Sequence, residues 1–442
     1  MKKSLLIFFI LLLCCTCYEG SAKADSMTVD LVRMFSRDIF ETNGTPYLQP
    51  MVEGVNATSN SSFFSTAYIP KKVKRPYFRF SLHGMIGEVP NSKTTYAPNI
   101  PMEQFDLNEL SKYIDLQFVD GQPQIIAIPD TAALAYYALK TIFYDAVKSG
   151  EVKIPEKSAT ILGSQNEVLY IPNAALESAM KNSPAYAFLP DNFKDTLSKY
   201  IQQFPEQFSL PQGANMSYFG AGIPQLEIGS LYGTEALIRF VPKIDMGTNI
   251  GKFSFWGIGL KHSLSQYFYK DDNDTVEATP ENHPFSMAFQ AVFQGTSLQN
   301  KIGVTNADLN CKATFVDFNL QASYYLHKIF NIYTGISYEI TDIDANYKYS
   351  IPWELQVQLG MVTPKKNPDG SDVIDPATGW IVYETTEEYP GDTKPQTSNV
   401  KIHDKNYKWV IGASINLGNF SIFGDYNVRS FNIFTAGLSF KF

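Results

Sequence analysis

Along the last part of the chain, apolar and polar residues alternate with period two. Trp409, Ile411, Ala413, Ile415 and Leu417 form one row; Lys408, Gly412, Ser414 and Asn416 form the other. Gly418-Asn419 interrupts the run, after which Phe420, Ile422, Tyr426 and Val428 alternate with Ser421, Asp425, Asn427 and Arg429. After a second short break, Phe434, Ala436, Leu438, Phe440 and Phe442 alternate with Thr435, Gly437, Ser439 and Lys441. Successive strand side chains point to opposite faces, so two-faced runs joined by tight turns predict an antiparallel meander. The signature repeats at 224–228, 235–240, 256–264, 285–294, 316–324 and 330–339. It also appears early, where Phe78, Phe80, Leu82 and Ile86 alternate with Arg79, Ser81 and His83. A soluble sandwich shows the same period. It rarely keeps Asp, Asn, Gln and Glu on one face while Phe fills the other, so the pattern predicts an all-β, antiparallel transmembrane β-barrel. The even-number rule gives about 12 strands, roughly 10 to 14.

Elsewhere the alternation is lost. Leu31, Met34, Phe35 and Ile39 lie near helical spacing in Met27–Phe40, and Asn43-Gly44 and Pro46 are expected to stop that helix. Residues 25–62 read as a plug inside the barrel or as a periplasmic arm, with the amino terminus in the periplasm. Residues 63–86 hold the first barrel strand. Residues 87–221 are too long for a plain loop. Helical stretches at Thr131–Val147 and about 190–203, and short apolar runs at 124–128, 159–162 and 168–171, predict an inserted α+β subdomain. The main barrel occupies 222–442. Its Pro-, Asp-, Thr- and Gly-rich stretch 352–400 is expected to be one extracellular loop, because outer loops are long and periplasmic turns short.

The amino end narrows the location. Lys2-Lys3, the apolar stretch Leu5–Leu13 and Ala22-Lys23-Ala24 spell a cleaved secretory signal over 1–24, with Asp25 as the mature start. A lipid anchor on Cys14, Cys15 or Cys17 fits less well, because Leu13, Cys14 and Thr16 precede them where small residues are wanted. Export without an apolar helix long enough to span leaves three destinations, the periplasm, the outside or the outer membrane, and the barrel pattern of the strands points to the outer membrane of a Gram-negative bacterium. Cys311 alone would remain, so no internal disulfide is expected. Aromatic residues make up 14% of the chain, which suits girdles at the two membrane interfaces. A dispersed net charge of -8 excludes nucleic acid as a partner.

No H-E-x-x-H, G-x-S-x-G or P-loop signature is present, so neither catalytic, cofactor nor metal residues are assigned and no enzymatic activity is expected. Gly247–Lys252 reads as a turn, and Asp271, Asp272, Asn273 and Asp274 as a solvated loop. The polar rows carry more. Strand parity puts Arg79, His83, Glu227, Glu235, Arg239, Lys261, Asp317, Glu339, Asp425 and Arg429 on the inward face, since Arg or Lys on the lipid face costs roughly 2–4 kcal/mol at the midplane. His262 has outward parity. The inward charges either pair and fill a closed lumen or line a route for a small-molecule solute. A hydrolase would need a Ser or Asp against a lumenal or rim His.

Several stretches carry a resemblance. Ile223-Pro-Gln-Leu-Glu-Ile-Gly229, Gly233-Thr-Glu-Ala-Leu-Ile-Arg239-Phe-Val-Pro242, Gly257-Ile-Gly-Leu-Lys-His262-Ser and Pro46-Tyr-Leu-Gln-Pro50 followed by Gly54 resemble an uncharacterised family of outer-membrane barrels of Bacteroidetes-type bacteria. That family is more remotely similar to long-chain fatty-acid transporter barrels. The resemblance implies architecture, outer-membrane lipid as surroundings, and passage or capture of a small, hydrophobic molecule; a closed structural or surface-display barrel is the alternative. A final strand with Phe440 and Phe442 is similar to the signal read by barrel-assembly machinery.

Overall fold

The computed structural model describes residues 23–442 apart from 72, 120–121, 165–166, 184–185, 187–190, 212, 246–250, 270–282, 303–306, 328 and 377–380. The signal segment 1–22, most of the turn at 247–252 and the acidic loop 271–274 therefore lie outside the described residues.

Ten antiparallel strands close into a barrel. They are β1 (Tyr77–Glu88), β2 (Tyr218–Leu231), β3 (Thr234–Asp245), β4 (Lys252–Ser263), β5 (Phe285–Ile302), β6 (Ala307–Tyr325), β7 (Phe330–Tyr349), β8 (Gln396–Leu417), β9 (Phe420–Val428) and β10 (Ile433–Lys441). Each pairs with its neighbours in sequence, and β1 closes the ring between β2 and β10. The count is the low end of the expected range; about 12 was too many. At the seam the Phe442 and Phe78 backbones exchange hydrogen bonds of 2.8 and 3.0 Å, and their rings stack at 5.8 Å.

The strands differ in length. A barrel strand crosses a bilayer in about 9–11 residues; β9 and β10 have 9 each, whereas β5, β6, β7 and β8 have 18, 19, 20 and 22. The turn after β6 and the turn at Gly418-Asn419 lie at the same end as Phe442. The surplus of β5–β8 therefore projects from the other end, the cap end.

Face chemistry inverts along these long strands. Near the Phe442 end the outer row is Phe293, Phe318, Ile336 and Trp409, all exposed, and the inner row is Gln294, Asp317, Asn319, Glu339 and Lys408, all buried. Further out the outer row becomes Ser297, Lys312, Asp342 and His403, while Leu298, Leu309, Cys311, Ile343, Ala345, Val400 and Ile402 turn inward into an apolar core. The change comes at Tyr338 and Tyr407, cross-strand partners with rings 5.1 Å apart. Such a tyrosine pair marks a membrane interface. Below it the wall is oily outside and polar inside; above it the same sheet is folded as in a water-soluble barrel.

What fills the upper barrel is helix α1 (Ser26–Ser59). Its N-cap Asp25 accepts a hydrogen bond from the Thr28 amide at 2.9 Å. The expected stop at Asn43-Gly44 and Pro46 does not occur, and the helix continues through Pro46 and Pro50. Tertiary contacts override local propensity here. The Asn43 amide exchanges hydrogen bonds with the Asn99 backbone at 2.6 and 2.7 Å, and Tyr47, Leu48, Met51 and Val52 pack on the apolar inner wall. Gly54 lies so close to the Phe219 ring that a Cβ there would come within 2.2 Å of it.

The described residues of 89–217 and 350–395 form a cap on the same end. Helices α2 (Thr131–Ser149), α3 (Asn173–Asn182) and α4 (Asp191–Gln203), with two-stranded ribbons, build its larger part. The strands Gln122–Ala127, Ser158–Ala159 and Val168–Tyr170 overlap the three apolar runs; α3 has no counterpart in the periodicity. The loop before β8 contains the helix Trp353–Gln358 and a hairpin joining Thr363–Pro364 to Tyr383–Glu384, and β8 already begins at Gln396. The first half of α1 ties the cap together. Phe35 makes edge contacts with Phe143, Phe204 and Phe208, and Arg33 pairs with Asp392 at 2.9 Å. Burial, then the Asp38 carboxylate that accepts its hydrogen bond at 2.6 Å, push the Tyr136 hydroxyl well above its ordinary range. The amino-terminal end of the described residues, expected in the periplasm with Phe442, lies at the opposite end.

Candidate functional site

The end of α1 opens directly into the lumen. Its last carbonyls are capped by its own hydroxyls: Thr58 donates to Gly54 O at 2.7 Å, Ser59 to Val55 O at 2.9 Å and Ser61 to Ala57 O at 2.6 Å. Ser, Thr and Asn favour such local bonds over helix continuation. Ser62 then takes a left-handed backbone, φ 53°, which costs a non-glycine residue about 1–2 kcal/mol. From there the chain runs through the membrane-level lumen as residues 60–70 before reaching β1.

Two cations hold this plug. Arg239 donates to Ser59 O at 3.1 Å, Ser61 O at 3.0 Å, Ser62 O, and Gln225 Oε1 at 2.7 Å. Among the described residues it has no carboxylate within ion-pair distance. Lys408 donates to Asn60 O at 2.7 Å and pairs with Glu339 at 2.6 Å. Phe63 lies between them, with the Arg239 guanidinium 4.5 Å and the Lys408 ammonium 4.9 Å from its ring centre. A desolvated cation–π contact is worth about 2 kcal/mol, and hydrogen bonds to a charged group about 1.5–3 kcal/mol each.

An acidic counterpart sits opposite. Asp425 accepts from Ser62 Oγ at 2.6 Å, Tyr333 OH at 3.2 Å and Asn427 Nδ2 at 2.6 Å. His83 touches Ser62 Oγ through Nδ1 at 3.2 Å and Ser81 Oγ through Nε2 at 2.8 Å. Deeper, Phe64 packs edge-on to Tyr333 at 5.7 Å, above Gly335, where a Cβ would come within 2.7 Å of the Phe64 ring. Asn331 donates to Ser65 O at 3.0 Å and Ser323 Oγ accepts from the Ala67 amide at 3.0 Å.

The other lumen charges pair with one another. Arg79 pairs with Glu227, Lys261 with Glu235 at 2.6 Å, and Arg429 with Glu339; Tyr77 donates to Glu235 at 2.5 Å. Buried charge is tolerated when it is paired in this way or, as at Arg239 and Asp425, hydrogen-bonded.

The family described as "Family of unknown function (DUF6588)" matches residues 1–442. The chain belongs to that family. No curated protein matches it. Among solved structures it is similar to one described as a Pseudomonas aeruginosa FadL homologue, at 9% identity, over 84% of this chain and 89% of that one, with a TM-score of 0.19. It is also similar to a Rhodopseudomonas blastica porin triple mutant, at 9% identity over 53% and 82%, with a TM-score of 0.10. At these scores neither likeness carries an argument.

Of the ten residues that parity assigned inward, eight are buried, and Arg79 and Arg429 are ion-paired to buried glutamates, yet they are not one constellation. Arg79, Glu227, Glu235 and Lys261 form one ion-pair group, and Asp317, Glu339, Arg429 and Lys408 another. Arg239, Asp425 and His83 grip the plug instead. His262 keeps its outward parity at the Phe442 end, bonded to Thr234 and Tyr267 at 2.8 Å each. Phe440 and Phe442 are exposed on the outer wall. Lys408 was missing from the inward set although its parity with Ser414 was legible. The plug residues Ser62, Phe63 and Phe64 carried no period-two signal that could have pointed to them.

Proposed function

We propose that this chain is an outer-membrane β-barrel, closed at rest by its own amino-terminal segment, that holds its cap outside the cell. The observation that supports closure is the seat of residues 59–62: their carbonyl oxygens stand against Arg239 and Lys408 at membrane level, where an open pore would hold water. The oily belt of the lower wall supports a lipid surround, and Phe440 and Phe442 at the barrel seam support recognition by the assembly machinery. Cleavage after Ala24 belongs to the same reading, with Asp25 left as the α1 cap.

Passage of a solute is the second reading. It is favoured by the plug's attachment, which rests on side-chain contacts and adds no strand to the ladder. The vacated wall would be mostly polar, so the solute would be hydrophilic rather than hydrophobic. No enzymatic role is proposed. His83 does lie between two serines, but its described contacts include no carboxylate to orient it, and the plug seals it.

Single-channel recording of the purified protein in a planar bilayer tests closure. The expected trace stays at the baseline, with brief openings at most. A steady open pore in the unmodified protein overturns the proposal.

A further inference from the structure

We propose that the membrane-level inner wall is a peptide-binding site, occupied in this structure by the chain's own Ser62-Phe63-Phe64 turn, and that a separate peptide of the same chemistry competes for it. That chemistry is a small hydroxyl residue in a tight turn followed by paired aromatics. The inference rests on the closed-at-rest reading.

The wall reads its occupant as a receptor reads a ligand. Arg239 recognises three carbonyl oxygens of one turn, a generic feature of peptide backbone. Asp425 recognises the hydroxyl at the turn, accepting from Ser62 at 2.6 Å. The first aromatic ring is clasped by Arg239 and Lys408 and meets Phe315 at 6.5 Å. The second fills the space that Gly335 leaves by having no side chain. Arg239 and Asp425 have no ion-pair partner among the described residues, unlike the charges around them; beside their wall partners Gln225, Tyr333 and Asn427 they bond the occupant.

The occupant is exchangeable by construction. It is held by side chains, as is the stretch 65–70 that follows it, through Asn331 on Ser65 O and Ser323 on the Ala67 amide, so the turn and that stretch leave the wall together without breaking a strand pairing. The cap and α1 cover the other end. A competing peptide therefore enters from the Phe442 side. Tethering gives the resident segment an effective concentration on the order of millimolar, so a free peptide wins only at that level or when the resident is weakened.

The test weakens the resident in the full chain. The double variant Phe63→Ala, Phe64→Ala, shown to be assembled by heat-modifiable gel mobility, should give open events in a bilayer. A peptide of residues 59–67 with blocked ends should close them, and a scrambled peptide at the same concentration should not. Adding Arg239→Gln should raise the half-blocking concentration about tenfold. An open variant that the peptide leaves unblocked, or that the scrambled peptide blocks equally, overturns the peptide site while closure at rest stands. A steadily open unmodified protein would remove closure itself. If the double variant stays shut or fails to assemble, a second measurement decides. In the full chain carrying Phe64→Cys and Cys311→Ser, millimolar peptide should speed thiol labelling at position 64 by about fivefold; no acceleration overturns the proposal.

Discussion

The lower and upper halves of strands β5–β8 are one continuous sheet with opposite chemistry. On β6, Phe318 faces outward and Asp317 inward; a few residues on, Lys312 faces outward and Cys311 inward. On β7 the outward series runs Ile336, Tyr338, Asp342, and the inward series Ser337, Glu339, Ile343. Backbone pairing is unbroken across the change, since Tyr338 stands opposite Tyr407 and Ile343 opposite Ile402 in the same register. What changes is the solvent on each side. Below the tyrosines, lipid rewards an oily exterior and the lumen holds polar groups. Above them, water takes the outside and α1 supplies an apolar filling. A strand therefore has no fixed oily face; the face follows the medium.

The largest effect that can break this comparison is one of sidedness. Epitope tags at Gly370, an exposed turn, and between Ala24 and Asp25 should both be labelled by antibody on intact cells. A tag at Gly418, at the opposite end, should be labelled only after the outer membrane is opened. Labelling in the reverse sense would invert the topology and put the soluble half in the periplasm.

Next in size is a charge placed on the outer row on either side of the tyrosine seam. Leu320→Arg, on the outer row inside the oily belt and opposite Ile336, should cost up to roughly 2–4 kcal/mol and abolish the heat-modifiable band. Thr314→Arg, six residues on along β6, should assemble normally. Equal behaviour of the two would mean that the membrane boundary does not lie between them.

The inner row gives the smallest effect. Ile343→Ala in the upper core should lose about 2–4 kcal/mol in denaturant unfolding. Ser337→Ala, inward on the same strand but at lumen level, should lose about 0.5–1.5 kcal/mol. Similar losses at the two sites would show that the upper barrel has no working hydrophobic core.

This inversion also accounts for how far the sequence could be read. Alternation with oily outer residues was traceable at 285–294, 316–324, 330–339 and 409–417, and each of those runs stops near the tyrosine seam. The missed halves, 295–302, 307–315, 340–349 and 396–407, keep period two but reverse its meaning. With the upper strands left out, the stretch from 352 to 400 read as one loop, although β8 starts at Gln396.

By itself the sequence determined the lower wall: which residues meet lipid, which face inward, and that the strands form a meander. Those properties are local, because period two and the cost of charge in lipid act residue by residue. Tertiary structure alone decided the rest. Ring closure at ten strands depends on the meeting of β1 with β10, which no single strand encodes. Continuation of α1 through Pro46 and Pro50 depends on the wall that encloses it. The roles of Arg239 and Lys408 depend on a turn 177 residues from the one and a carbonyl 348 residues from the other. A charged side chain on an inward row is legible in a strand; whether it finds a carboxylate, water or the chain's own backbone is settled only when the barrel closes around its plug.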